Sequence, residues 1–325
     1  MRLLVGARLF HFGSSSANSL ATGHHTSTSR LSDLPRHDRI ATSTFVPPPP
    51  PGLPSTELTR GGMKTILDFA RARAEARPIV MVTAYDALIA RIVAASPIDA
   101  ILVGDSVAMV VHGLPSTVEA TLAMMVLHTT AVRRGAPDRV IVADMPFGSF
   151  RRGKYAAAEA ASALLQAGAT AVKLEGVAGH EDVITHLVNG GIPVMGHLGL
   201  TPQFVNQLGG YRVQGRTPDA ARQLLADARR LQELGAFAVV LECVPDEIAR
   251  HVTAELTIPT IGIGAGAGTS GQILVITDLL GLDERFQPRF ARRYRDGHGE
   301  VMTVLEDFVR DVRATSFPAL EEVIA

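Results

Sequence analysis

The chain has 325 residues, with 31 Lys+Arg against 32 Asp+Glu, 46% hydrophobic residues and a single cysteine. The even charge argues against a nucleic-acid or anionic-membrane partner, since both want a basic patch. One cysteine excludes an internal disulfide and points to a reducing, cytoplasmic setting. No apolar run approaches the ~20 residues of a membrane span.

Residues 1–62 differ from the rest. They are rich in Ser, Thr, His and Arg and contain VPPPPPGLP (46–54). Nothing there has a sustained helical or strand period, so a disordered extension with a stiff polyproline stretch is expected. Residues 1–32 carry arginines and no acidic residue, which resembles an organelle transit peptide and would send the chain to a mitochondrion. The competing reading is upstream sequence ahead of a true start at Met63, which follows Arg-Gly-Gly.

From Met63 onward, short β-rich apolar runs alternate with Ala/Leu-rich helical segments. The predicted strands are IVMVTA (79–84), AILVGDS (100–106), VIVADMP (140–146), AVKLEG (171–176), PVMGHLG (193–199), AVVLEC (238–243), PTIGIGAG (259–266) and ILVITDLLG (273–281). A helix is predicted from Pro218, with Thr217 as N-cap and Gly235 just past its end. Leu224, Leu225, Ala228, Leu231 and Leu234 give it an apolar stripe at helical spacing. Eight such strands over residues 63–325 predict an α/β fold, a (β/α)8 barrel, with a doubly wound open sheet as the rival.

Most of these strands end in, or run into, a polar side chain that packing does not require. They are Asp86, Asp105 with Ser106, Asp144, Lys173 with Glu175, His197, Glu242 and Asp278. In barrels of this type the active site lies at the C-terminal rim, so these side chains could share one bowl. Plainer readings exist for each. Asp86 and Asp278 read better as helix N-caps. Lys173 and Glu175 share a strand face and could be a structural ion pair. His197 alone would be a hydrogen-bonded structural histidine. The weight lies in their convergence from separate strands.

Two aspartates and a glutamate make a hard oxygen-donor set. Without a Cys or multi-His cluster, zinc fits poorly and Mg²⁺ fits well. An open Mg²⁺ can be chelated by a 2-keto acid and acidify the neighbouring C–H. Glu242, at the end of AFAVVLEC, is then the carboxylate free to take the proton. Strand alternation turns Cys243 the other way, toward the helices, where it reads as packing. The connection 197–216 reads as a lid or substrate loop. GIGAGAG (262–268) is a weak phosphate-loop signal, lacking Gly-Lys-Ser/Thr, and close backbone approach explains it as well.

Together these residues resemble the ketopantoate hydroxymethyltransferase family. The matching segments are TAYD (83–86), LVGDS (102–106), HTTAVRRGAP (128–137), VADMPFGS (142–149), VKLEG (172–176), GHLGLTPQ (196–203), GGYRVQGR (209–216), LECVP (241–245) and IGIGAG (261–266), in order over nearly all of 63–325. The resemblance implies a (β/α)8 TIM barrel of the phosphoenolpyruvate/pyruvate type. It implies Mg²⁺-dependent transfer of a hydroxymethyl group from 5,10-methylenetetrahydrofolate to 3-methyl-2-oxobutanoate, giving 2-dehydropantoate for pantothenate and coenzyme A synthesis.

By the same resemblance, Asp105, Asp144 and Glu175 match the metal-site carboxylates. Asp105, Ser106, Asp144 and Lys173 match the keto-acid contacts, His197 matches a pocket-lining residue and Glu242 matches the proton acceptor. A homo-oligomer, often a decamer, is implied, with residues 290–312 available for packing between subunits. The chain departs from the family pattern at GLPST (113–117), where GHDST is more usual, and at VGDSVAM, where VGDSLGM is commoner. The alternatives are a Mg²⁺-dependent C–C lyase or mutase of the phosphoenolpyruvate/pyruvate type, a Schiff-base aldolase using Lys173, and a barrel kept only for binding.

Overall fold

Eight parallel strands pair in sequence order and close on themselves. They are β1 (Ile79–Thr83), β2 (Ala100–Val103), β3 (Val140–Asp144), β4 (Ala171–Glu175), β5 (Val194–Gly199), β6 (Ala238–Glu242), β7 (Thr260–Ile263) and β8 (Gly271–Leu274). β8 returns to β1 with Ile79 opposite Gly271 and Val82 opposite Leu274, which excludes the open-sheet rival. This is a computed structural model, and it describes residues 62–285 and 288–324. The expectations for residues 1–61, disorder and transit peptide alike, lie outside the described residues.

The strands are buried on both faces, which is why they read as near-continuous apolar runs. Period-two alternation sorts each run into two layers. Ile79, Met81, Ala100, Leu102, Val140, Val142, Ala171, Met195, Ala238 and Val240 fill the barrel interior. Between them, Ile101, Val103, Ile141, Ala143, Val172, Leu174, Val239 and Leu241 pack outward beneath the helices. The helix Leu67–Ala74 supplies Phe69 and Ala72 to the interior cluster. Phe69 meets Phe237 edge-on, with ring centroids 5.2 Å apart, so this helix closes the end where the strands begin.

Continuing the inward positions one step further places Asp144 beyond Val142, Lys173 and Glu175 beyond Ala171, His197 beyond Met195, and Glu242 beyond Val240. The register sets Asp144 beside Lys173 and Glu175 beside His197. The lower barrel is therefore apolar and its upper layer charged.

The helix Pro218–Glu233 forms as its sequence predicts. Thr217 accepts a hydrogen bond from the Ala220 amide, Leu224, Ala228 and Leu231 are buried, and Gly235 follows at φ +91°. Asp86 is the predicted N-cap, its side chain accepting from the Ile89 amide. The eighth strand is a correction. Its pairing with β1 ends at Leu274, and Ile276–Leu280 is a short helix closed by Gly281 at φ +68°. Asp278 lies on that helix and does not cap it. In the glycine-rich stretch, a side chain on Gly266 (φ +73°) would collide with Asp246. Those glycines serve close backbone approach.

Candidate active site

A cavity of about 530 Å³ opens at the C-terminal ends of the strands. Asp105, Ser106, Asp144, Lys173, Glu175, His197 and Glu242 all line it. The structure thus brings together every site residue expected from the sequence. Asp278 also lines it, whereas Asp86 is spent on its cap.

The polar side chains form one connected floor. Asp144 Oδ2 accepts the Asp105 amide at 2.9 Å, and its Oδ1 lies 3.0 Å from Lys173 Nζ. Lys173 Nζ is also 3.1 Å from His197 Nδ1. His197 Nε2 lies 3.1 Å from Glu242 Oε2, and its Nδ1 lies 3.5 Å from Glu175 Oε1. The plainer reading of Lys173 and Glu175 as an ion pair is not what forms: Lys173 pairs with Asp144, and His197 stands between Glu175 and Glu242.

Gln203 was not singled out from the sequence, yet it ties the floor together. Its backbone amide donates to Glu175 Oε2 at 3.0 Å. Its side-chain amide donates to Asp105 Oδ2 at 2.8 Å and to the Met145 carbonyl at 2.9 Å. The signal was present as the end of GHLGLTPQ, but an uncharged amide in a loop carries no chemistry of its own. Tyr85 is a second such residue, its hydroxyl 2.8 Å from Ser106 Oγ.

Three carboxylates, Asp105, Asp144 and Glu175, are 5%, 3% and 1% exposed, with Lys173 as the buried lysine among them. Burial pushes the Asp105 carboxyl well above its ordinary pKa, and the charges of Asp144 and Glu175 push it further. Burial works against the Lys173 ammonium, but Asp144, Glu175 and Asp105 outweigh it and hold its pKa above the usual lysine value. A lysine held charged is a poor Schiff-base nucleophile, which needs the free amine. For His197, burial and the Lys173 charge oppose protonation. Glu175 and Glu242 outweigh both, and the imidazole pKa is raised.

That surplus of buried negative charge suits a divalent cation. Among the described residues, no three His, Cys, Asp or Glu side chains form a ready-made metal cage. Mg²⁺ does not require one: it takes one or two carboxylates and keeps the remaining positions for water and substrate oxygens. The donor set present therefore fits an open Mg²⁺ site that takes one or two oxygens directly from among Asp105, Asp144 and Glu175 and reaches the rest through water.

Cys243 corrects the alternation argument. β6 ends at Glu242, and Cys243 adopts a left-handed backbone at φ +49°. Its side chain lines the cavity instead of the helix layer. Burial, with the Glu242 charge beside it, pushes the thiol up to about 12. It is no nucleophile, since the thiolate is the reactive form. The connection after β5 does reach the site: Tyr211, Arg212 and Val213 line the mouth of the cavity.

Comparison with known proteins matches this architecture. Residues 63–320 match the ketopantoate hydroxymethyltransferase family. The chain is 50% identical over 260 residues to 3-methyl-2-oxobutanoate hydroxymethyltransferase of Bdellovibrio bacteriovorus, covering 80% of this chain and 99% of the relative. It is 49% identical over 255 residues to the enzyme of that name from Coxiella burnetii, covering 78% and 96%. Among solved structures, 2,3-dimethylmalate lyase aligns with a TM-score of 0.51 at 17% identity, covering 82% of this chain and 93% of that one. Phosphonopyruvate hydrolase, solved with oxalate and Mg²⁺, aligns with a TM-score of 0.53 at 13% identity, covering 80% and 93%. These two share the fold, a parallel barrel of alternating strands and helices. The family match, and relatives at half identity over almost their whole length, lead to one conclusion: the chain belongs to the ketopantoate hydroxymethyltransferase family and is a hydroxymethyltransferase.

Proposed function

We propose that the chain transfers a hydroxymethyl group from 5,10-methylenetetrahydrofolate to 3-methyl-2-oxobutanoate, giving 2-dehydropantoate. The observation that carries this reading is the division of the floor. Three buried carboxylates and Lys173 lie on one side of His197, and Glu242 lies on the other. The first group suits a chelated keto acid, and the second suits removal of a proton from its C3 carbon.

Asp105, Asp144 and Glu175 would hold Mg²⁺ between them, one or two directly and the rest through water. When bound, the ion supplies Lewis-acid polarisation of the keto group, which acidifies the C3–H. Lys173, kept charged by its acidic neighbours, answers the substrate's negative charge. Ser106, held by Tyr85, adds a hydroxyl donor. Glu242 Oε takes the C3 proton, and the C–H electron pair passes into the enolate. Its side chain is 17% exposed, so the base is reached from the cavity and not sealed in the core. The C3 carbon then bonds to the methylene carbon of the folate as one of its two C–N bonds gives its electron pair back to nitrogen. Water then replaces the other nitrogen at that carbon, leaving its oxygen as the hydroxyl while its proton and the C–N electron pair go to the departing tetrahydrofolate. His197, against Glu242, keeps that carboxylate oriented.

A lyase or mutase of the phosphoenolpyruvate/pyruvate type would share the metal-enolate chemistry. Such enzymes use a cysteine in a lid loop, and the chain's single cysteine sits at the end of β6. The test is direct. Purified protein with Mg²⁺, keto acid and methylenetetrahydrofolate forms 2-dehydropantoate, and excess EDTA abolishes formation until Mg²⁺ is restored. Turnover that persists in EDTA would remove the metal from the reading.

Residues 63–325 are proposed to form the catalytic unit of a cytoplasmic homo-oligomer, with 1–62 as an extension outside it. No helix among the described residues is long and apolar enough to cross a membrane.

A further inference from the structure

The cavity is larger than its floor needs. A short branched keto acid is much smaller than the drug-sized ligands that pockets of roughly 300–1,000 Å³ enclose. The remaining volume has a different chemistry. Above the charged layer, the wall is built from Val110, Tyr211, Val213, Leu274, Val275 and Phe290. Tyr211 is 51% exposed and Phe290 40%. Large side chains left uncovered together at one cavity mouth mark a binding surface more than packing does.

Two anchors set these rings over the proton acceptor. The Gln214 amide donates to the Cys243 carbonyl at 3.0 Å, which ties the Tyr211–Val213 segment to the residue after Glu242. Phe290 lies against Gly264, just past the end of β7: a Cβ there would stand 2.9 Å from its ring, and 3.4 Å from Cys243 Sγ. Each ring has an arginine as its chain neighbour, Arg212 and Arg289, and both line the cavity. Neither guanidinium is in an ion pair among the described residues. On the same wall Asp278 supplies a carboxylate half withdrawn from solvent, which raises its pKa, with Arg293 partly offsetting this and Asp283 adding to it.

We propose that this upper wall seats the one-carbon donor, with the flat reduced pterin against Tyr211 and Phe290, its aminopyrimidine edge on Asp278, and its anionic glutamate tail on Arg212 and Arg289. The match is one of chemistry. An aromatic wall covers a flat heterocycle and gains from ring contact. The adjacent N–H groups of an aminopyrimidine present a carboxylate with the same paired donors as a guanidinium, and arginine pairs with carboxylates through two parallel hydrogen bonds. The one-carbon unit then enters from the Glu242 side, where C3 loses its proton.

This inference rests on the folate-dependent reading above, and its test separates the two. The full chain is assayed with Mg²⁺, keto acid and 5,10-methylenetetrahydrofolate as mono- and triglutamate. In parallel, C3 deuterium uptake by the keto acid is followed in D₂O without folate. Asp278→Asn and Tyr211→Leu are expected to raise the donor KM about tenfold or more, the size of losing one well-placed recognition contact. The Arg212→Gln/Arg289→Gln double variant is expected to lose the preference for the triglutamate and much of the salt dependence of donor KM. Deuterium uptake in all three should follow the wild-type rate, showing that the floor is intact. Wild-type turnover with donor KM unchanged across the variants overturns the subsite alone. Wild-type deuterium uptake with no folate-dependent product overturns the donor assignment and the subsite with it.

Discussion

His197 touches more of the site than any other side chain, lying within 3.5 Å of Lys173, Glu175 and Glu242. Its position was legible because β-strand alternation alone puts it on the face of Met195. Its partners were not, since a sequence does not state which neighbouring strand supplies them. The two glutamates raise its pKa in the folded chain. A raised folded-state pKa means that the protonated imidazole stabilises fully below the unfolded value of about 6.5. That contribution fades as pH rises through the folded value. The gap in melting temperature between wild type and His197→Gln should therefore be widest in mild acid and narrow toward alkaline pH. A gap that widens with pH would contradict the assignment. Gln203 is the opposite case. It holds Asp105 and Glu175 together, but only the closed barrel brings its loop to them.

At the scale of elements, the strands were the most legible part, because a sheet buried on both faces demands unbroken apolar runs. The eighth failed for the same reason. Its run ILVIT continues the apolar pattern past Leu274, the last residue paired with β1, where the Ile276 amide donates to the Thr83 hydroxyl and the chain turns into a short helix that Gly281 closes. Cys243 was misplaced because period-two reasoning stops where the strand stops. The junction of β5 and β6 shows how tightly these ends are built. Gly199 has φ +90°, and a Cβ there would run into the Glu242 carbonyl, which accepts the Leu200 amide at 2.8 Å. Gly199→Ala combines left-handed strain with a backbone collision, so it should cost about 1–3 kcal/mol in denaturant unfolding. It should also lower turnover by displacing Glu242. An alanine variant of full stability and activity would show that the junction has slack.

At the scale of the molecule, the helix near the C-terminus carries an apolar stripe that the barrel does not cover. The helix Gly297–Arg313 buries only Gly297, while Val301, Leu305, Phe308 and Val312 lie exposed along one side. An amphipathic helix with a bare apolar stripe wants a partner. The proposed homo-oligomer supplies one. Light scattering should find an assembly in the wild type and smaller species for Leu305→Lys/Phe308→Lys. A wild-type monomer at assay concentration would remove the oligomer from the account.

The central claim is that a metal-type carboxylate cluster and a separate proton acceptor work on one keto acid across His197. Deuterium uptake at C3 of 3-methyl-2-oxobutanoate in D₂O, with Mg²⁺ and no folate, measures that step alone. The account predicts steady uptake by the wild type. For Glu242→Gln it predicts a loss of about 10²–10⁴-fold, the usual contribution of a positioned base, with keto-acid binding retained. Uptake by Glu242→Gln at the wild-type rate would contradict it.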